Sequence, residues 1–497
     1  MVVLPVLVLA FYMTAVRHFG YTPDDTFIYL QFAKNLVHGN GIAFNAGEPT
    51  YGITSPLWLF VIALGGSMGI DLALAAKAVD LVIASGAIIV FYLAAYELIR
   101  DMIVAMLATL AFSLHIWLLR WAGSGMETSL SVLLVLAALL FCLRNEYLLS
   151  VITAALLALV RPEAVLFVGF IAADIYVNSQ DKRRGAGLMA KLAAVYAAIL
   201  APWLVYAYRT FGIVVPNTAL AKSRSGFSLA GLGSELWNIG AIVGASDGVA
   251  ALCVVAAGLL LWRSVRFAPE EERFFHFRQA LFGLGWVVAL PALYVLRNVT
   301  VVSRYMLLVT PFLSLAAFAF LFGLLMRSRF RRFAYAAMFV FTGCVVLQSQ
   351  VAYRAVVAPG VEAFEAGMNS SLVSIGHWMK EHTAPGETIL CWDIGAIGYY
   401  SDRRICDAAG LVTPGMIPFV QEGLDLRDMT ERKLYRPYCN VTYIVHRAEE
   451  PNELRGNRAL IPLFTRPFYR MGLIKMRQDY YTVYQVNDAD VQLKETP

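Results

Sequence analysis

Thr22-Pro-Asp-Asp-Thr-Phe-Ile-Tyr-Leu-Gln-Phe-Ala-Lys-Asn-Leu36 follows the first apolar run of the chain, and its reading sets the rest. Asp24 and Asp25 come just after Pro23, where a helix is expected to begin. Carboxylates there face the positive end of the helix dipole. Phe27, Ile28, Leu30, Phe32, Ala33 and Leu36 make an apolar stripe, with Lys34, Asn35 and His38 off it. Such an amphipathic helix suits a membrane interface and would hold two acids at headgroup depth. Gly39-Asn-Gly-Ile-Ala-Phe-Asn-Ala-Gly-Glu-Pro49 then carries turn chemistry, and Tyr51-Gly-Ile-Thr-Ser-Pro-Leu-Trp58 leads back into apolar sequence.

Outward from this stretch the chain is apolar. Of 497 residues 59% are hydrophobic and only 15% charged, too little charge to cover a soluble protein of this size. The class is a polytopic α-helical membrane protein. We expect about eleven spans, near 1–17, 72–99, 102–119, 127–143, 147–160, 163–178, 190–208, 247–262, 279–296, 304–326 and 333–352. The run Pro56 to Gly69 is short for a span and reads as re-entrant or surface helix. The net charge of +5 is small, and the arginines cluster in short loops. They read as topology signals, which excludes a nucleic-acid surface.

With the N-terminus inside, the dense clusters Lys182-Arg183-Arg184 and Arg327-Ser-Arg-Phe-Arg-Arg332 share the inner side. Scattered Arg120, Arg161, Arg209, Lys222, Arg224, Arg297 and Arg304 then fall outside, with the acidic pair. The expected location is the cytoplasmic (inner) membrane, multi-pass, with the site and the C-terminal region on the extracytoplasmic side.

After residue 353 hydropathy falls and charge rises. Leu372 to His382 reads as a helix, Thr388-Ile-Leu-Cys-Trp392 as a buried strand, and Asp393-Ile-Gly-Ala-Ile-Gly-Tyr-Tyr400 as a glycine turn into a short helix. Asn440-Val-Thr-Tyr-Ile-Val445 and Tyr480-Tyr-Thr-Val-Tyr-Gln-Val486 read as later strands. We therefore expect two domains: 1–353 in the membrane, with an outer loop 18–55 carrying the acidic pair, and 354–497 as an extracytoplasmic α/β domain. Cys142, Cys253 and Cys344 lie in apolar runs as small core residues. Cys391, Cys406 and Cys439 lie in the polar region; one disulfide could form there, though an odd number argues against it, and none has metal-ligand spacing.

Other short signals stand out. Ser124-Gly-Met-Glu-Thr128 opens a span, and Glu127 either caps its helix or meets a sugar. Arg161-Pro-Glu163 interrupts two apolar runs, where Pro162 frees backbone groups. Arg161 pairs with Glu163 or serves a site. Ser303-Arg-Tyr-Met306 offers Arg304 as a membrane anchor beside Tyr305 or as a permanent cation for phosphate. His115 reads as a satisfied core residue, Trp121, Trp203 and Trp237 as interface belt, and Asp393 as part of a strand-end turn outside the site.

The ordered series of the acidic pair, GMET, RPE, PNT…AK from Pro216 to Lys222, SRY, and WDIGAIGYYSDRRICDAAGL from Trp392 resembles the GT-C membrane glycosyltransferases that use polyprenyl-phosphate sugars. It is most similar to the mycobacterial-type terminal arabinofuranosyltransferases. The segment YGITSP departs from the Gly-Tyr-Thr-Asn type expected there, and some relatives carry longer loops. Both differences bear on the acceptor.

The resemblance implies inverting transfer of a sugar from a polyprenyl-phosphate donor to a glycan, glycolipid or protein acceptor. Asp24 or Asp25 would be the general base, with Asp24 favoured. Arg304 and Lys222 would hold the lipid phosphate. Arg161, Glu163, Glu127 and Thr54 would complete the substrate contacts. Membrane lipids are the other partners and nucleic acid is not. No cofactor is required, a divalent cation on the acidic pair being the one candidate. The rival readings are a lipid-linked sugar flippase, which favours midplane charges and a repeated half, and a glycan-binding scaffold, which needs no acidic pair.

Overall fold

Long uncharged apolar runs become helices because only a helix satisfies its own backbone in lipid. In the computed structural model, residues 3–222, 229–265, 278, 280–470 and 477–487 are described. Five of the described helices are long and apolar enough to cross a membrane by themselves: Leu72–Ile99, Lys182–Phe211, Gly231–Leu260, Thr310–Arg327 and a run over Arg331–His382. Shorter apolar helices cover Val3–His18, Pro56–Ser67, Met102–Ser113, Thr128–Leu143, Tyr147–Ala158 and Leu281–Leu296. The expected span 102–119 breaks at Leu114, and a separate helix Ile116–Trp121 follows. The basic residues Arg263, Arg266 and Arg273 carry side chains outside the described set.

Sequence chemistry sets the ends of these helices. Asp101 caps Met102–Ser113, its carboxylate accepting from the Val104 amide at 2.9 Å. Pro162 opens a short 3-10 turn, Pro162–Val165, between Tyr147–Ala158 and Leu166–Asn178. At Asp247 the backbone leaves helical geometry inside Leu229–Val265. The buried Asp247 carboxylate meets His115 Nε2 at 3.0 Å, so His115 is a paired core residue.

The chain divides into two compact units: 1–19 with 77–203 and 227–358, and 20–76 with 204–226 and 359–497. The break at Ala358/Pro359 lies close to the boundary read from composition. The second unit also takes in the acidic loop and the PNT segment.

That second unit contains a five-stranded sheet, β1 Thr388–Cys391, β2 Arg404–Asp407, β3 Tyr443–Ala448, β4 Leu460–Arg470 and β5 Arg477–Val486. The order is β2-β1-β3-β5-β4, with β2, β1 and β3 parallel and β5 and β4 antiparallel. Leu390, Met416, Met429, Ile444 and Tyr484 lie in the core on one side of it. Cys406 and Cys439 form a disulfide there, which corrects the expectation of free thiols; Cys391 is left buried and free. Parity misled because one of the three cysteines is simply a core residue of β1.

Candidate functional site

The acidic helix forms where the sequence places it. It spans Asp24–Val37, with Pro23 as its extended N-cap residue. Phe27, Leu30, Phe32 and Ala33 are buried. The turn after it is built on glycine: Gly39, Gly41 and Gly47 all have φ near +75–80°, a region costly for other residues. Asn35 holds this turn down, its side-chain amide donating to the Ala43 and Phe44 carbonyls at 2.9 and 2.7 Å.

The loop is fastened to the sheet of its own unit. Asn45 acts as a mock strand beside edge strand β2. It donates to the Ile405 carbonyl and accepts from the Ile405 amide, both at 2.9 Å. Glu48 pairs with Arg404 at 2.7 Å, and Lys34 pairs with Asp402. Phe27 packs on the rings of Tyr399 and Tyr400. The PNT segment belongs here too. Asn217 donates from its backbone to the Tyr51 carbonyl and from its side chain to the Leu411 carbonyl, and Thr218 donates to the Gly52 carbonyl at 2.8 Å. Thr54 meets the Tyr29 hydroxyl at 3.2 Å. Lys222 ends the helix Asn217–Lys222, and its side chain lies outside the described residues.

Asp24 has a specific partner. Its two carboxylate oxygens accept from the amides of Gly395 and Ala396 at 2.9 and 2.8 Å. These amides open the helix Gly395–Ser401. Burial, then the charge of Asp393, then that of Asp25 push the Asp24 carboxyl up to about 7, against the pull of the two amides. Asp393, set aside as a turn residue, is thus a neighbour of the acidic pair. It is held by Arg447, whose Nη1 donates at 2.9 and 3.1 Å, and by the Tyr481 hydroxyl at 2.7 Å. Asp25 is half-buried on the same first turn. Nearby Asp407 is buried and pushed up to about 6, tying down the loop after β2 through the Ala409 and Val412 amides.

The other unit holds a second charged cluster. Arg161, 5% exposed, pairs with Glu127 at 2.7 Å, and Glu163 is more distant at 3.6 Å. Sequence spacing had offered Glu163 as the partner, 2 residues away; the fold brings in Glu127 from 34 residues away. Glu127 makes no side-chain cap on its own helix. Tyr294 donates to Glu163 at 3.0 Å. Tyr305 lies under Arg161, 4.9 Å from ring centre to guanidinium, and Arg304 rests over Trp121 and Tyr305. Trp121 and Trp203 are buried, whereas Trp237 is exposed, so the belt reading fails for the first two.

Sequence reasoning passed over three charged residues of this unit. Arg120 lies over Trp121 and donates to Ser303 at 3.3 Å. Asp80 accepts from the Gly125 amide at 3.1 Å, and Lys77 lies over Phe19. Lys77 and Asp80 are both buried within Leu72–Ile99, and ionisable residues inside a spanning helix were a signal that could have found them. Among the described residues no group of three or more His, Cys, Asp or Glu side chains gathers as for a metal ion.

Comparison with known proteins fits this architecture. Residues 362–492 match the family model of a domain of unknown function (DUF8728). A segment of 228 residues is 28% identical to a terminal beta-(1->2)-arabinofuranosyltransferase of Mycobacterium tuberculosis, covering 41% of this chain and 35% of that protein. The chain thus spans about a third of the length of this curated relative. Cupriavidus metallidurans ArnT bound to undecaprenyl phosphate superposes with a TM-score of 0.61 at 13% identity, over 97% of each chain. The Archaeoglobus fulgidus oligosaccharyltransferase in its apo form gives 0.60 at 14% identity, over 89% of this chain and 69% of that one.

The class follows from these likenesses: this is a multi-pass membrane protein of the GT-C fold. Within that fold class, the relative matched in sequence, over 41% of this chain, is an arabinofuranosyltransferase.

Proposed function

We propose that the protein transfers a glycosyl unit from a polyprenyl-phosphate sugar to an envelope glycan, lipid or protein acceptor, with inversion at the anomeric carbon. The observation that carries this reading is the acidic pair: two carboxylates open a helix that is fastened on all sides, in a chain of GT-C fold. Its structural relative is described with undecaprenyl phosphate bound, which supports a lipid-phosphate donor.

In the proposed step an aspartate of the pair takes the proton of an acceptor hydroxyl. The hydroxyl oxygen bonds to the anomeric carbon, and the bond to the lipid phosphate breaks. Polyprenyl phosphate departs with the bonding electrons, so no strong general acid is needed. Arg304 and Lys222 are the proposed cations for that phosphate. Arg161, Glu163, Glu127 and Thr54 are the proposed contacts to the sugars.

The proposed address is the cytoplasmic membrane, with acidic loop and sheet facing outward. The Cys406–Cys439 bond supports that side, since structural disulfides persist in oxidising compartments. The test uses purified protein in nanodiscs with synthetic undecaprenyl-phospho-arabinofuranose and extracted envelope acceptors. Labelled sugar should appear in the acceptor fraction. Intact donor and unlabelled acceptors would set the enzyme reading aside.

A further inference from the structure

We propose that Arg120 is a further phosphate-binding residue, and that Arg120 and Arg304 together hold one lipid-linked phosphate beside the Trp121 indole. This rests on the glycosyltransferase reading and adds to it a residue that the sequence motifs do not contain.

Cations and rings alternate in this part of the helical unit. The Arg120 guanidinium lies 6.0 Å from the Trp117 ring centre and 5.0 Å from that of Trp121. Arg304 lies 5.7 Å from Trp121 and 5.4 Å from Tyr305, and Arg161 lies 4.9 Å from Tyr305. A ring face attracts a cation but does not cancel its charge. At one end of this ladder, Glu127 at 2.7 Å and Glu163 at 3.6 Å supply the counter-charge for Arg161. At the other end Arg120 has no carboxylate partner among the described residues. The ladder is therefore neutralised at one end only.

The polar atoms at the Arg120 end suit an anion. Ser303 Oγ accepts from Trp121 Nε1 at 3.0 Å and from Arg120 Nη1 at 3.3 Å. Two donors occupy that oxygen, so its own O–H is left to donate. Arg120 Nε is buried and has no hydrogen-bond partner among the described residues. Arg304 follows Ser303 directly in the chain. A hydroxyl and two guanidiniums thus gather around one indole. The guanidinium is a planar fork that matches phosphate oxygens. A phosphate supplies the counter-charge that this end lacks, and a neutral headgroup does not.

The helix that carries Arg120 is set in advance. Ile116–Trp121 has six residues, too few to be stable alone. Its start is fixed by a buried junction. His115 Nε2 meets the Asp247 carboxylate at 3.0 Å, the Ile116 amide donates to Ser349 Oγ at 2.9 Å, and Gln350 donates to the Leu114 carbonyl at 2.9 Å. These partners come from two other helices, Leu229–Val265 and Ala334–Ala352. Trp117, Arg120 and Trp121 stand at i, i+3 and i+4 and share one helix face. Arg120 is thus held in place before a ligand arrives, which lowers the ordering cost of binding.

The test measures binding of undecaprenyl phosphate, undecaprenol and inorganic phosphate to full-length protein in nanodiscs by native mass spectrometry. The variants are Arg120→Gln, Arg120→Lys and, as a control cation outside the ladder, Arg297→Gln. Arg120→Gln should weaken undecaprenyl phosphate by about tenfold to a hundredfold and leave undecaprenol and the melting temperature unchanged. Arg120→Lys keeps the charge but loses the fork, and should fall between Arg120→Gln and wild type. Arg297→Gln should bind as wild type does. Inorganic phosphate at equal concentration should not displace the lipid.

Wild-type affinity for undecaprenyl phosphate in Arg120→Gln, or an equal loss of undecaprenol, would overturn the proposal and leave Arg120 a structural cation. Displacement of the lipid by inorganic phosphate would overturn the lipid assignment. Sugar transfer is read separately on the same samples. Binding that depends on Arg120 without any transfer would keep this site and remove the enzyme reading. Transfer by Arg120→Gln at wild-type KM would keep the enzyme reading and remove this site.

Discussion

The two charged clusters hold their ions in different ways. In the unit that carries the sheet, Asp24 has both oxygens satisfied by backbone amides. In the helical unit, Arg161 and Glu127 meet as side chains at 2.7 Å, and Glu127 Oε2 and Arg161 Nε have no hydrogen-bond partner among the described residues. Buried polar atoms are nearly always paired in folded proteins, so unpaired ones in a charged cluster are the atoms a polar ligand would meet. The proposed substrate contacts at Arg161 and Glu127 thus rest on atoms left unpaired, whereas Asp24 enters its proposed role already held by two amides.

The largest effect expected is on the ion pair. Arg161→Leu leaves Glu127 charged and uncompensated in a site that is 2% exposed, and should cost about 3–5 kcal/mol in thermal unfolding of the detergent-solubilised protein. Adding Glu127→Leu should recover most of that stability without restoring transfer. Recovery of transfer by the double variant would make the cluster purely structural.

A smaller effect is expected at the phosphate. Arg304→Ala removes a permanent cation and should weaken binding of undecaprenyl phosphate by about tenfold to a hundredfold, the equivalent of roughly 1.5–3 kcal/mol. Native mass spectrometry or calorimetry reads this directly. Unchanged affinity would reduce Arg304 to an anchor over Trp121 and Tyr305.

The last is a pH dependence. The Asp24 carboxyl is raised from its usual 3.8 to about 7, by burial first, then Asp393, with Asp25 adding and the Gly395 and Ala396 amides opposing. Arg447 and Tyr481 act on it through Asp393, and the buried Cys391 thiol also feels its charge. The folded state therefore holds a proton that the unfolded chain has lost. This contribution is full below about pH 4 and is lost as pH rises through 7. The melting temperature of the wild type relative to Asp24→Asn should fall across that window. A difference that rises with pH would show that the amides outweigh burial.

How much was readable in sequence follows from range. The acidic helix, its glycine turn and strands β1, β3 and β5 are local patterns, and all appear where the residues indicate. β2 has only four residues and opens on Arg404, and β4 carries Pro462 and Pro467. Proline demotes a run read as strand, yet β4 is an edge strand with a register shift at Pro462/Phe464, where proline is tolerated. The partners of Asp393 lie 54 and 88 residues away, and Glu127 reaches Arg161 only through the packing of helices. No local spacing encodes such contacts. Motifs that look separate in sequence, the acidic pair, PNT and WDIGAIG, turn out to be one assembly in the second unit.

The most direct measurement is the fate of the donor in a single reaction. Wild-type protein in nanodiscs is given undecaprenyl-phospho-arabinofuranose and an extracted acceptor, and NMR follows the anomeric centre while the lipid phosphate is quantified. One undecaprenyl phosphate should be released per glycosidic bond formed, with the anomeric configuration opposite to that of the donor, and replacing both Asp24 and Asp25 by asparagine should release almost none. Retained configuration would remove the single-step mechanism. Donor recovered intact, with no new glycosidic bond, would contradict the central claim.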